Sequence, residues 1–232
     1  MIPDAVIFDF DGVLANSEPL HLRVYQELLG AEGIAFTAPE YYERYLGFDD
    51  VGVFEALARD KGLRIGDGRL DELIARKTSI FQALVARNSV LFPGAADCVR
   101  AVAAVCPIAI ASGALRHEIE QILAGAGLSD AFPVIVAAGE TPMSKPSADP
   151  YVKALALLQS QGQQHLAPSR SIAIEDSQWG LLSARRAGLR TLGVTTSYPA
   201  EALTYAETTL PDIASVTVAH LSQLVSFPQV EA

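Results

Sequence analysis

Residues 6–18 read Val-Ile-Phe-Asp-Phe-Asp-Gly-Val-Leu-Ala-Asn-Ser-Glu, and this stretch decides the fold. An apolar run over residues 5–8 is typical of a strand buried in a parallel sheet, where both faces are covered. The run ends in Asp9 and Asp11, with Gly12 directly after them. Open α/β sheets bind their ligands at the carboxyl ends of the strands. Because two desolvated carboxylates stabilise no strand by themselves, we predict that this stretch faces a bound cation.

The composition predicts a globular chain with a large core. Its 232 residues are enough for one large domain or for one domain with a substantial insert, and half of them are hydrophobic. The net charge of −10 argues against nucleic acid or an anionic membrane surface as a general partner. Cys98 and Cys106 are too few for a disulfide framework, so both are expected to be buried thiols.

We recognise no targeting or membrane segment in the sequence. The first residues lack the basic region and the small-residue cleavage site of a secretory signal. Pro, Gly or charged residues interrupt every apolar stretch before it reaches the roughly 18 residues of a membrane span. We therefore expect a cytoplasmic protein, with a monomer as the default oligomeric state.

Strand and helix patterns alternate after residue 90. The predicted strands cover 107–111, 133–137, 171–174 and 190–194, and the predicted helices cover 95–104, 115–126, 149–159 and 181–187. A short last strand and helix are expected within 195–220. This alternation predicts an α/β fold, a Rossmann-like parallel sheet with helices on both faces.

Residues 15–90 break the alternation. Four helical patterns, at 18–31, 38–46, 50–61 and 68–87, follow one another with no convincing strand between them. We predict an inserted all-α cap domain at 15–90, and a core domain formed by 1–14 and 91–232.

Three further groups of polar residues follow predicted strands. They are Ser112-Gly113, Lys145-Pro146 and Glu175-Asp176-Ser177. Each has an ordinary structural interpretation, as a helix N-cap, a solvated lysine or an acidic first helical turn. Each also suits phosphate chemistry: a hydroxyl and backbone N–H groups bind an anion, a lysine binds phosphate oxygens, and carboxylates bind Mg²⁺.

In combination these groups resemble the haloacid dehalogenase-like (HAD) hydrolase superfamily, in its helical-cap phosphatase and β-phosphoglucomutase-like branch. The stretches that carry the resemblance lie at 8–13, 112–113, 144–151 and 174–180. The resemblance implies these roles: Asp9 as nucleophile, Asp11 as general acid/base, Ser112, Gly113 and Lys145 as phosphate ligands, and Asp9, Asp11, Asp176 and Glu175 around Mg²⁺.

The same resemblance implies that the cap selects the substrate. His21 matches a histidine that assists sugar binding in the mutase, although a surface histidine is the alternative. Asp49 and Asp50 lie where the mutase holds a second phosphate with an arginine, and two acids would repel such a phosphate. We therefore expect a monophosphate with an uncharged far end. Lys77, next to Arg76, and Arg116 are candidate substrate contacts, with solvated surface charge as the alternative.

The resemblance implies a Mg²⁺-dependent phosphatase that acts on a small phosphorylated metabolite, with a sugar phosphate as the expected substrate. A sugar phosphomutase and an inactive phospho-ligand binding protein are the alternatives. Dehalogenases of the superfamily lack the second aspartate, here Asp11, so dehalogenation is disfavoured. Phosphonate cleavage needs a desolvated cap lysine, and the sequence surroundings of Lys61 and Lys77 predict solvated side chains.

Overall fold

A computed structural model of the chain describes residues 1–45, 48, 50–66, 68–85, 90–162 and 165–227. Its strands are β1 (Val6–Phe8), β2 (Ile108–Ala111), β3 (Val134–Val136), β4 (Ile172–Glu175), β5 (Arg190–Val194) and β6 (Thr208–Leu210). They form one sheet of order β3-β2-β1-β4-β5-β6, in which every strand pair is parallel. This order is that of a doubly wound Rossmann-type sheet, so the predicted fold class is confirmed.

The strands are connected by helices α5 (Ala95–Ala103), α6 (Arg116–Gly125), α7 (Asp149–Ser160) and α8 (Gln178–Arg186), and the last strand is followed by α9 (Val218–Leu224). Helix α8 begins three residues before the predicted position, because the Ser177 side chain accepts a hydrogen bond from the Gly180 N–H and caps the helix there. The strands β1, β2 and β4 are buried throughout, as expected for a sheet that is covered on both faces.

The chain divides into two compact units, one made of Met1–Asn16 and Ser89–Ala232 and the other of Ser17–Asn88. The second unit contains α1 (Glu18–Ala31), α2 (Ala38–Arg44), α3 (Asp50–Lys61) and α4 (Arg69–Val85). We call the first the core unit and the second the helical unit. The helical unit has its own apolar core, in which the rings of Tyr25, Phe36, Tyr41 and Phe54 contact one another.

The structure also describes both cysteines and the lengths of the helices. Cys98 and Cys106 are free, buried thiols, and burial raises the pKa of each to about 11. Among the described residues, no helix combines the length and the apolar character that crossing a membrane requires.

Candidate active site

The sheet register brings the predicted acids together. Phe8 pairs with Ile174 of β4, and the next residue, Asp9, donates its backbone N–H to the Ile174 carbonyl at 2.9 Å. Asp9 therefore lies beside the carboxyl end of β4, where Glu175 and Asp176 follow. Carboxylate oxygens of Asp9, Glu175 and Asp176 all lie within 4.8 Å of one another, and all three residues are buried.

Lys145 is the cation at the centre of this acidic cluster. Its Nζ lies 2.5 Å from Asp9 Oδ1 and 2.6 Å from Glu175 Oε1. The loop that carries Lys145 is fixed to helix α8, since Arg186 donates to the Pro146 carbonyl at 2.8 Å and the Ser183 hydroxyl donates to the Ser147 carbonyl. The ammonium position is thus determined by two carboxylates and by an anchored loop.

The Glu175 carboxylate is surrounded by donors. Oε1 accepts from Lys145 Nζ and from the Tyr151 hydroxyl at 2.9 Å, and Oε2 accepts from the Asp176 N–H at 3.2 Å. Oε2 also accepts from the N–H and the hydroxyl of Ser177. With only 1% of the residue exposed, Glu175 is an internal anchor for its neighbours.

The cluster carries more negative than positive charge, and this excess shifts the pKa values of its members. Burial, together with Glu175 and Asp176, raises the pKa of Asp9 to about 8 although Lys145 opposes the shift. Burial and Glu175 likewise raise the pKa of Asp176 to about 7. Burial alone would lower the pKa of Lys145, but Asp9 and Glu175 outweigh it and raise that pKa above its usual value. One ammonium therefore does not neutralise three buried carboxylates.

The chain turns at Gly12, and its backbone there packs directly against the Asp176 side chain. Its φ of +80° is in the left-handed region, and a Cβ at this position would lie 1.9 Å from Asp176 Oδ2. The Gly12 carbonyl accepts a hydrogen bond from the Thr196 hydroxyl, and Ser197 hydrogen-bonds to Asp176 and opposes its pKa rise. Asp11, directly before this glycine, is partly buried.

The predicted phosphate ligands Ser112 and Gly113 follow β2. The Ser112 N–H donates to Val136 of β3 at 2.9 Å, which fixes its backbone, and its Oγ accepts from the Ala114 N–H at 3.0 Å. Because Oγ accepts this bond, the Ser112 hydroxyl can still donate its proton to a ligand. Gly113 is exposed. Both residues lie at the same edge as Asp9, since Phe8 pairs with Ile110 of β2.

Arg116, a predicted substrate contact, is committed to structural partners. Its guanidinium lies 2.6 Å from Glu140 Oε1 and donates to the Ile135 carbonyl at 2.7 Å and to Glu120 at 3.3 Å. These contacts join the start of α6 to β3 and to the segment after it. The structure thus supports the alternative of a surface ion pair for this residue.

The helical unit holds a buried ion pair that the sequence analysis did not foresee. Lys77 Nζ lies 3.0 Å from Asp50 Oδ1, and the same oxygen accepts from the Tyr25 hydroxyl at 2.6 Å. The lysine is 1% exposed and lies 5.1 Å from the centre of the Phe81 ring, so the expectation of a solvated Lys77 is wrong. The Asp50 carboxylate is thus paired with a cation inside the helical unit.

His21 stacks on Phe81, with ring centres 4.6 Å apart. Burial and the nearby Lys77 lower the pKa of His21 to about 3, so its imidazole is neutral at ordinary pH. Arg76 pairs with Glu32 at 2.9 Å. Asp49 lies outside the described residues.

Two residues of the cluster were missed by sequence reasoning. Tyr151 occupies an apolar position of α7, where its hydroxyl is not distinguishable from that of an ordinary core tyrosine. Ser197 follows β5, and polar residues after a further parallel strand were a usable signal for it.

Comparison with known proteins agrees with this geometry. A sequence model of haloacid dehalogenase-like hydrolases matches residues 3–188. The chain belongs to this family. Protein CbbY from Rhodobacter capsulatus is 31% identical over 230 residues, which cover 95% of this chain and 98% of that protein. Hexitol phosphatase B from Escherichia coli K12 is 29% identical over 196 residues, or 82% of each chain.

A solved HAD structure resembles the whole chain. It is a mutant of CbbY from Rhodobacter sphaeroides in complex with xylulose-(1,5)bisphosphate, with a TM-score of 0.78 and 28% identity over 95% of this chain and 99% of that one. The predicted branch and the predicted class, a phosphoric monoester hydrolase, are confirmed, since the family is one of hydrolases and a named relative is a phosphatase.

Proposed function

We propose that this chain is a Mg²⁺-dependent phosphatase that hydrolyses a small phosphorylated carbohydrate through an aspartyl-phosphate formed on Asp9. The observation that carries the proposal is the position of the Asp9 carboxylate, which is buried at a strand end between Lys145 and Asp176. A carboxylate held next to one cation, at the edge where Ser112 supplies a hydroxyl, is suited to attack a bound phosphoryl group.

The donor set fits Mg²⁺. Asp9, Glu175 and Asp176 offer carboxylate oxygens within 4.8 Å of one another, and Mg²⁺ prefers hard oxygen ligands. The raised pKa values of Asp9 and Asp176 indicate that the cluster lacks positive charge. Asp9 and Asp176 would hold the ion, with Glu175 in a supporting role because five donors already occupy its oxygens. When bound, the cation neutralises the phosphoryl oxygens and the nucleophile.

The side chains divide the work of hydrolysis. A carboxylate oxygen of Asp9 forms a bond to phosphorus while the ester P–O bond breaks, and Asp11 protonates the leaving oxygen. Water then attacks the aspartyl-phosphate, and Asp11 accepts its proton as phosphate leaves. Lys145 and Ser112 bind the phosphoryl oxygens through both steps.

We further propose that the substrate has one phosphate. In the helical unit, cations at positions 44, 61, 69, 76 and 77 each pair with a carboxylate. These five cations are already offset, so a second phosphate would have to bind to the other described arginines of this unit, Arg23, Arg59 and Arg64. The negative charge of Asp49, which the sequence analysis expects to repel a second phosphate, also supports a substrate with one phosphate.

Phosphate release from a panel of sugar phosphates tests the function, with Mg²⁺ and with EDTA. We expect release that requires Mg²⁺ and is lost in Asp9→Asn. Asp97→Asn is a matched control, because the Asp97 side chain is 91% exposed on α5, and it should keep full activity. Full activity of Asp9→Asn, or conversion of a hexose 1-phosphate to its 6-phosphate without release, would contradict the proposal.

The substrate class is tested separately, with one sugar presented as a monophosphate and as a bisphosphate. We expect the monophosphate to have the higher kcat/KM. A clear preference for the bisphosphate, which is the type of ligand in the CbbY crystal structure, would refute the single-phosphate proposal and leave the phosphatase proposal intact.

A further inference from the structure

Tyr151 makes contacts that a tyrosine of the apolar core does not need. It is the third residue of α7, it is fully buried, and it belongs to an apolar cluster that includes Ala109, Ala111 and Ala173 of the sheet. Within this apolar surrounding its hydroxyl donates to Glu175 Oε1 at 2.9 Å. Phenylalanine would fill the same volume without burying a hydroxyl, so the hydroxyl calls for a role.

The oxygen that Tyr151 contacts is the one that holds Lys145. Glu175 Oε1 accepts from the Tyr151 hydroxyl and from Lys145 Nζ, the latter at 2.6 Å. The same ammonium lies 5.1 Å from the centre of the Tyr151 ring, a cation–π distance. Tyr151 therefore restrains Lys145 twice, through the face of its ring and through the carboxylate that its hydroxyl fixes.

The balance of contacts at Lys145 explains why this restraint matters. Nζ lies between two acceptors at nearly equal distance, 2.5 Å to Asp9 and 2.6 Å to Glu175. A carboxylate oxygen that loses one of two donors becomes a stronger acceptor for the other. Without the tyrosine hydroxyl, Glu175 would draw the ammonium away from Asp9.

We propose that Tyr151 is a positioning residue, which sets the location of the Lys145 ammonium relative to Asp9 by holding the Glu175 carboxylate. The inference rests on the proposed phosphatase function, in which that ammonium screens the phosphoryl group during transfer. Tyr151 does not contact the reacting atoms, and its effect passes through Glu175.

Tyr151→Phe tests the inference, because it removes the hydroxyl and keeps the ring. We expect kcat to fall about tenfold, as for loss of a hydrogen bond to a charged group, while KM stays within about twofold. Inhibition by orthovanadate, which mimics the transition state of phosphoryl transfer, should weaken by a similar factor.

The matched control is Tyr45→Phe in the helical unit. Tyr45 is also buried, and its hydroxyl also donates to a carboxylate, that of Asp60 at 3.0 Å. If Tyr151 were only structural, both variants would lower the midpoint of thermal unfolding alike and both would keep kcat. We expect the drop in kcat only in Tyr151→Phe.

A double-mutant cycle with Glu175→Gln identifies the path. Because the hydroxyl acts through the carboxylate, Tyr151→Phe should have less than a twofold effect on kcat in the Glu175→Gln background. An active Tyr151→Phe chain with wild-type kcat and vanadate affinity would overturn the inference alone. A wild-type chain that releases no phosphate from any substrate would overturn the proposed function, and the inference with it.

Discussion

The substitution Gly180→Ala tests why a glycine lies in the first turn of α8, beside the Glu175 carboxylate. Gly180 lies in the first turn of α8, and its N–H caps the helix by donating to Ser177 Oγ at 3.1 Å. Helix propensity alone favours alanine there by up to about 1 kcal/mol. However, a Cβ at this position would lie 1.7 Å from Glu175 Oε1, closer than any real contact. We therefore expect Gly180→Ala to destabilise the protein, although helix propensity alone predicts stabilisation.

The size of the effect follows from the surroundings of Glu175. The buried carboxylate has to retreat by more than about an ångström, which breaks its hydrogen bonds to Lys145 and Tyr151. Overpacking costs about 1–3 kcal/mol, and each hydrogen bond to a charged group contributes about 1.5–3 kcal/mol. With partial relaxation we expect a loss of about 2–4 kcal/mol in the free energy of unfolding. Lys145 would lose one of the two carboxylate contacts that position it, and a misplacement of its ammonium by about an ångström should lower kcat about 100-fold.

Urea unfolding followed by circular dichroism, together with phosphate release, measures both effects. Gly125→Ala is the control, because Gly125 ends α6 and a Cβ there meets nothing within 4 Å. This control should be as stable as wild type or slightly more stable, with the same kcat. A Gly180→Ala chain that matched Gly125→Ala in stability and activity would refute the packing argument.

The remaining predictions concern charged groups. His21 is neutral in the folded chain, so between pH 7 and pH 5 its imidazole takes up a proton only in the unfolded chain. In urea unfolding, the free energy of unfolding of wild type should therefore fall by about 2 kcal/mol more than that of His21→Gln over this interval. Equal falls would contradict the lowered pKa of His21. Lys77→Met should cost about 3 kcal/mol, because it leaves the partly buried Asp50 without its cation, and adding Asp50→Asn should recover part of the cost. Additive losses in thermal unfolding would contradict the pairing. Arg116→Ala should leave kcat/KM within about twofold and cost under about 1 kcal/mol, whereas a large rise in KM would restore its predicted role at the substrate.

Most of the sheet and the three acids of the cluster were readable from local pattern. Short apolar runs between glycines and polar residues predicted the strand positions closely, because a parallel strand is buried on both faces and its sequence shows it. Asp9 and the pair Glu175-Asp176 were readable because each directly follows such a run. What they would contact was inferred from a resemblance, since a local pattern does not give the distance between two strands.

The failures have a common physical cause, which is burial decided by contacts distant in sequence. The sequence surroundings of Lys77 were interpreted as those of a solvated side chain. Yet Leu73 and Phe81 lie four residues before and after it, so all three share one buried face of α4. The helical spacing of Leu73, Lys77 and Phe81 therefore indicated a buried Lys77. For Tyr151 no such signal existed, since it lies on α7 and its partner Glu175 lies on β4, which is distant in sequence.

The acidic cluster also shows why the net charge of −10 is a poor guide to the substrate. Three buried carboxylates face one lysine, and that lysine is shared between Asp9 and Glu175. A phosphate adds further negative charge, so its binding is unfavourable until a cation joins the cluster. Under the proposed function, we therefore expect this local excess of acid to make the site selective, because it disfavours an anion alone and favours an anion that binds together with a divalent metal. A site with more lysines would bind phosphate without the metal, and would lose the nucleophile's charge to permanent ion pairs.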